Sequence, residues 1–159
     1  AITDDQIYKE DDIMERSMFH EFFLVKAVDK GTAPENDHCN ETLHMYCSGY
    51  EGRDYVEVDS AWFHNEFMEY IWLSLEGFAV KLNFTGPPVV IEEAPDLDKL
   101  ERVCSGWIMV LKEFPEEFEL GAWDDVFIRD DLIEELRKLE EMAKTAAGSM
   151  DHIILYAGI

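Results

Sequence analysis

Basic residues are scarce in this chain. Thirteen Lys and Arg stand against thirty-six Asp and Glu, giving a formal net charge of −23 over 159 residues. That balance disfavours direct binding to nucleic acid or to an anionic membrane surface, since both are held by lysine and arginine. Cysteine is scarce as well: Cys39, Cys47 and Cys104 make an odd count, which suits a reducing compartment better than a disulfide scaffold. No apolar run approaches the roughly 20 residues needed to span a bilayer. The first dozen residues are polar and acidic rather than a basic, apolar leader, so a cytoplasmic protein is expected.

Catalytic signatures are missing too. The chain contains no P-loop, GxGxxG, GxSxG or HExxH pattern. His64-Asn65-Glu66 supplies only the first half of the zinc-deaminase signature, without its cysteine pair. His38, Cys39, His44 and Cys47 form the one metal-like group, but the seven residues between the two cysteines fit no zinc knuckle. Cys104 falls on the apolar face of an expected helix, where burial would raise its pKa and leave it inert. Neither a catalytic residue, a metal site nor a cofactor is therefore expected.

What the chain does have is apolar and aromatic content, 47% and 13% respectively. Acidic disordered tails lack those residues, because they cannot bury enough apolar surface to offset the entropy of ordering. The expectation is a single compact domain over residues 1–159, with residues 1–15 as an acidic arm or short helix. Strands are expected over Met18–Val28, Thr42–Tyr46 and Tyr55–Val58, the last two joined by a hairpin through Gly49 and Gly52. Phe63, Phe67, Ile71 and Leu75 recur at i+4 steps and predict a helix over Ala61–Leu75, capped by Asp59 or Ser60. Alternation over Phe78, Val80, Leu82 and Phe84 predicts a half-buried strand, and Val89-Val90-Ile91 another. A helix capped by Asp96 carries Leu97, Leu100, Cys104, Trp107, Ile108 and Leu111 and stops before Pro115. Val126–Ile128 reads as a short strand. A helix opening on an Asp131/Glu134 capping box ends at Gly148, and Ile153–Tyr156 closes the chain as a strand. Together these predict an α+β fold, a mixed β-sheet with three main helices packed on it.

Mass scaling gives a folded surface of about 8,000 Å², or roughly one excess charge per 350 Å². An interface of ~800 Å² per partner would then carry only two or three of them, too few to imitate a nucleic-acid backbone. Clustering decides the matter. From Glu113 to Glu141 twelve acids face three bases, a local net charge of −9, with Phe114, Phe118, Trp123 and Phe127 interleaved. Glu51–Glu76 holds seven acids against Arg53 alone. Trp62, Trp72 and Trp107 are expected in the core.

Carboxylates so concentrated steer cationic partners and can occupy a basic groove. The profile is similar in class to immunity proteins that neutralise nuclease toxins, and to DNA-mimic anti-restriction proteins. Charge, size and aromatic content carry that resemblance, and no motif is transferred. It implies an acidic cytoplasmic inhibitor of a basic protein, a toxin or a nucleic-acid-binding enzyme, with contacts at Glu116, Glu117, Glu119, Trp123, Asp124, Asp125, Asp130 and Asp131. A compact mixed fold favours the immunity protein over the DNA mimic, whose acids tend to line elongated, helix-rich surfaces. The rival of another class is a small carboxylate-based, metal-assisted hydrolase built on Glu92, Glu93 or Asp124 beside a histidine.

Overall fold

A computed structural model describes residues 19–33, 53–120 and 125–158. The run that begins at Phe19 forms β1 (Phe19–Val28), an inner strand with apolar residues on both faces. It pairs with β2 (Asp54–His64) on one side and with β6 (His152–Ala157) on the other, and β6 in turn pairs with β3 (Val89–Ile91). The four-stranded sheet has the order β2-β1-β6-β3, and each of its described pairs is antiparallel. The other described elements are α1 (Asn65–Ile71), a 3₁₀ turn (Trp72–Leu75), α2 (Ala94–Leu111), the hairpin β4 (Glu117–Leu120) and β5 (Asp125–Ile128), and α3 (Arg129–Ala147). This is an α+β fold, with three α-helices among the described residues. No described helix is long and apolar enough to cross a membrane.

One sheet face carries Phe22, Leu24, Ala61, Phe63, Ile91, Ile154 and Tyr156 into the main core, where Leu97, Leu100, Leu111, Leu136 and Leu139 of α2 and α3 meet them. The other face buries Phe23, Val25, Tyr55, Ile153 and Leu155 in a second cluster. A bulge explains why β2 serves both. Leu24 opposes Asp59 but Val25 opposes Glu57, so Val58 is an extra residue and the parity of the strand resets there. Ala61 and Phe63 therefore face the helices, while Tyr55 faces away.

Two expected elements take other forms. Residues 61–64 are strand rather than helix, because they pair with residues 19–22. The helix that follows is capped not by Asp59 or Ser60 but by His64, whose Nδ1 accepts the Glu66 N–H at 3.1 Å. Phe63, Phe67, Ile71 and Leu75 all reach the core, yet from a strand, a helix and a 3₁₀ turn. Residues 78–84 bury one side as their alternation predicts but pair with no described strand. The Ala79 and Val80 amides donate instead to Asp96, at 2.7 and 3.2 Å. Asp96 is thus a clamp on this segment rather than the cap of α2, which begins two residues earlier at Ala94. Gly158 packs on the same segment, where a Cβ would stand 2.2 Å from the Phe84 carbonyl oxygen.

α3 likewise starts at Arg129, with Asp130 and Asp131 in its first turn and no side-chain bond at the cap. Their charge complements the helix dipole there. β4 has no counterpart among the expected elements. Its pairing with β5 is held at the base by the Arg129 N–H donating to the Glu116 carbonyl, 2.9 Å. The expected arm over 1–15, the strand Thr42–Tyr46 and the turn at Gly49 and Gly52 lie outside the described residues.

Candidate functional site

Where β2, the outer strand of the described sheet, comes near β5 and the start of α3, the surface dips into a cavity of about 510 Å³. Phe19, Trp62 and His64 come from β1 and β2, Asp125–Ile128 from β5, and Asp131, Leu132 and Glu135 from α3. Cross-strand pairing builds the first wall. Phe19 opposes His64, and their rings meet edge to face at 5.5 Å. Phe127 closes on the other side of the imidazole at 5.4 Å, backed by Phe118.

Helical spacing builds the acidic side. Asp131 and Glu135 are four residues apart and share one flank of α3, while Leu132, Leu136 and Leu139 point into the core. Glu135 is held at both oxygens: Oε2 accepts the Trp62 backbone N–H at 2.9 Å, and Oε1 pairs with Lys138 at 3.0 Å. His64 spends Nδ1 on the helix cap, so Nε2 carries the hydrogen and faces Asp125 Oδ2 at 3.8 Å. The site thus gathers three carboxylates beside three aromatic rings, with the Lys138 ammonium against Glu135. A cation entering it would meet ring faces and carboxylates together, an arrangement that suits a guanidinium, which stacks and forks at once.

The structure divides the expected contact residues. Asp125 and Asp131 line the cavity. Glu117 and Glu119 are exposed along β4, and Glu116 is exposed just before it. Asp130 turns away and pairs with Arg129 at 3.1 Å, beside a depression that also holds Lys112, Glu134 and Arg137. Trp123 and Asp124 lie outside the described residues. Trp72 and Trp107 are half-buried against the main core as expected, but Trp62 stands in the cavity wall, its indole N–H donating to Ser60 Oγ at 3.2 Å.

Phe19, Trp62, His64 and Glu135 line the cavity but were not among the expected contact residues. Only the i+4 step from Asp131 to Glu135 was there to be read; the rest depends on which strands meet.

The other candidates for chemistry fall elsewhere. Cys104 is buried on α2, and burial pushes its thiol up to about 12, which leaves it protonated and unreactive at neutral pH. Glu92 lines a separate depression with Ala94, Leu97 and Met150. Among the described residues no group of three or more His, Cys, Asp or Glu is arranged to hold a metal ion. His38, Cys39, His44 and Cys47 lie outside them. No protein-family model, curated protein or solved structure matches this chain.

Proposed function

We propose that this protein is an acidic cytoplasmic inhibitor that binds a basic protein, an immunity protein acting on a nuclease-type toxin, through the cavity bordered by β2, β5 and α3. The observation that carries the proposal is the meeting of Asp125, Asp131 and Glu135 with Phe19, Trp62 and Phe127 around one opening. Carboxylates alone are expected on a surface of this charge. Carboxylates beside aromatic walls form an anchor pocket for an arginine or lysine of the partner, and the surrounding charge speeds its capture.

The test is capture of basic proteins at low salt, followed by titration of the captured protein's nuclease activity. Inhibition should weaken steeply between about 0.05 and 0.2 M salt, as screening of exposed charges requires. Asp125→Lys combined with Asp131→Lys should slow association about tenfold or more. Inhibition indifferent to salt and to that double change would refute the proposal.

One observation favours a second reading, the small carboxylate-based, metal-assisted hydrolase: His64 stands beside Asp125 in a concave site. Hydrolysis of phosphate or carboxylate esters with Mg²⁺ or Mn²⁺ present, lost in His64→Ala, would support that reading over inhibition.

A further inference from the structure

The cavity is bordered by the outer edge of β5, and the phase of the hairpin ladder decides what that edge presents. The Arg129 N–H bonds the Glu116 carbonyl, so these two residues form a hydrogen-bonded pair. In an antiparallel ladder such pairs alternate with pairs that make no bond to each other. Phe118/Phe127 and Leu120/Asp125 are then bonded across the hairpin, while Glu117/Ile128 and Glu119/Val126 are not. The N–H and C=O of Val126 and the N–H of Ile128 consequently point away from β4, toward the open edge. They have no hydrogen-bond partner among the described residues. The Ile128 carbonyl is not among these groups, since Ile128 is the cap residue of α3 and its carbonyl belongs to the first turn.

The described edges of the four-stranded sheet are guarded. On β2 the Trp62 N–H is taken by Glu135, and the Ser60 N–H by the neighbouring Asp59 carboxylate at 2.8 Å. β3 is three residues long and follows Pro87-Pro88. Short strands, prolines and inward-turned carboxylates are the usual means of blunting an edge against unwanted pairing. β5, four residues long, carries no proline, and the outward amides of Val126 and Ile128 meet no carboxylate among the described residues. These amides border a cavity, and the side chains of Val126 and Ile128 are 58% and 50% exposed. Glu117 and Glu119 flank them on the same face of the hairpin.

We infer that β5 is a docking edge on which an extended segment of the basic partner adds as a third strand of the β4–β5 sheet. This rests on the proposed inhibitor function and specifies how the partner is held. Main-chain bonds to Val126 and Ile128 supply register, and alternate side chains supply specificity. Charge complementarity selects the occupant. On one side of the added strand, residues meet Asp125, Asp131 and Glu135; on the other, they meet Val126 and Ile128 between Glu117 and Glu119. The fitting segment alternates lysine or arginine with β-branched residues and carries no acid.

A heptapeptide of alternating lysine and valine is the probe, added to the full-length protein at low salt. Binding should slow exchange of the Val126 and Ile128 amides by about tenfold or more, with little change at Phe127, which is already bonded within the hairpin. Two N-methylated versions sharpen the test, one blocked at the lysine amides and one at the valine amides. Because alternate amides of a strand point to opposite edges, one version should lose binding and the other retain it. Binding with Val126 and Ile128 still exchanging freely, with Glu117 and Glu119 protected instead, or with both methylated versions tolerated overturns strand addition and leaves the acidic cavity as a side-chain site. Failure of the peptide to bind at all, in a protein that still inhibits its captured nuclease, also overturns strand addition alone. Failure of both overturns the inhibitor reading with it.

Discussion

Asp96→Ala should lower the unfolding free energy by about 3 kcal/mol, one of the two largest stability effects expected of a single substitution here. The carboxylate is almost fully buried and accepts two backbone N–H groups, from Ala79 and Val80. Bonds to an ionised acceptor are worth more than neutral ones, and removing the acceptor strands two part-buried donors. The charge also sits in the first turn of α2, where the helix dipole favours an anion. The loss should not be confined to the helix. Residues 78–84 pair with no described strand, so without Asp96 they are held chiefly by the packing of Phe78, Val80, Leu82 and Phe84. Urea denaturation measures the cost, and faster amide exchange at Ala79 and Val80 locates it. Asp96→Asn, which keeps one acceptor oxygen, should lose about half as much. A midpoint unchanged in Asp96→Ala would show that the clamp contributes nothing.

Acidification through the histidine range should destabilise the fold through His20. This side chain is fully buried on the helix-facing side of β1. Its Nδ1 lies 2.7 Å from the Tyr156 hydroxyl and its Nε2 lies 2.9 Å from Asn65 Oδ1. With the amide oxygen of Asn65 as acceptor, Nε2 carries the hydrogen and Nδ1 accepts from Tyr156. The neutral ring is therefore fully satisfied. Burial is the main reason its pKa lies below the ordinary 6.5; His64 pushes the same way, while the Asn65 bond and the Glu69 charge oppose the shift. Burial also raises the pKa of Tyr156, keeping its hydroxyl available as donor.

A histidine whose folded pKa is depressed contributes stability that is complete above the unfolded value. That contribution is lost as pH falls from about 6.5 toward the lower folded value, by at most about 1.4 kcal/mol per pH unit. Carboxylate protonation relieves self-repulsion and acts in the opposite sense, but mostly below about pH 5. Comparison with His20→Gln isolates the histidine. The wild type should lose stability between pH 7 and 5.5 relative to the variant, and parallel profiles would sink the idea. Tyr156→Phe tests the same network at constant pH. It removes the donor to a buried nitrogen and should cost about 2 kcal/mol.

The fold was legible wherever one period governed a segment. Leu97, Leu100, Cys104, Ile108 and Leu111 repeat at helical spacing, and they form the buried face of α2. Leu132, Leu136 and Leu139 do the same for α3. Legibility failed where one pattern satisfied two structures. Phe63, Phe67, Ile71 and Leu75 are spaced for a helix, but Ala61 and Phe63 are equally spaced for a strand, and pairing with β1 decided it. Alternation across 78–84 reported burial on one side, which it can do without a partner strand. β4 escaped notice because Glu117 and Glu119 mask its two apolar residues. Tertiary pairing, not local preference, makes it a strand.

The acidic site shows the same division. The sequence by itself determined the sign of the surface, the density of carboxylates between Glu113 and Glu141, and the place of Asp131 and Glu135 on one flank of a helix. Those properties follow from composition and short-range spacing, which survive any arrangement of the elements. Only the tertiary structure decided that Asp125 and Asp131 converge while Asp130 turns away to Arg129. It also decided that Trp62, 73 residues before Glu135, joins them as a cavity wall rather than entering the core. The physical reason is that charge adds along a chain whatever its path. A cavity exists only where strand pairing and helix packing bring distant residues to one place.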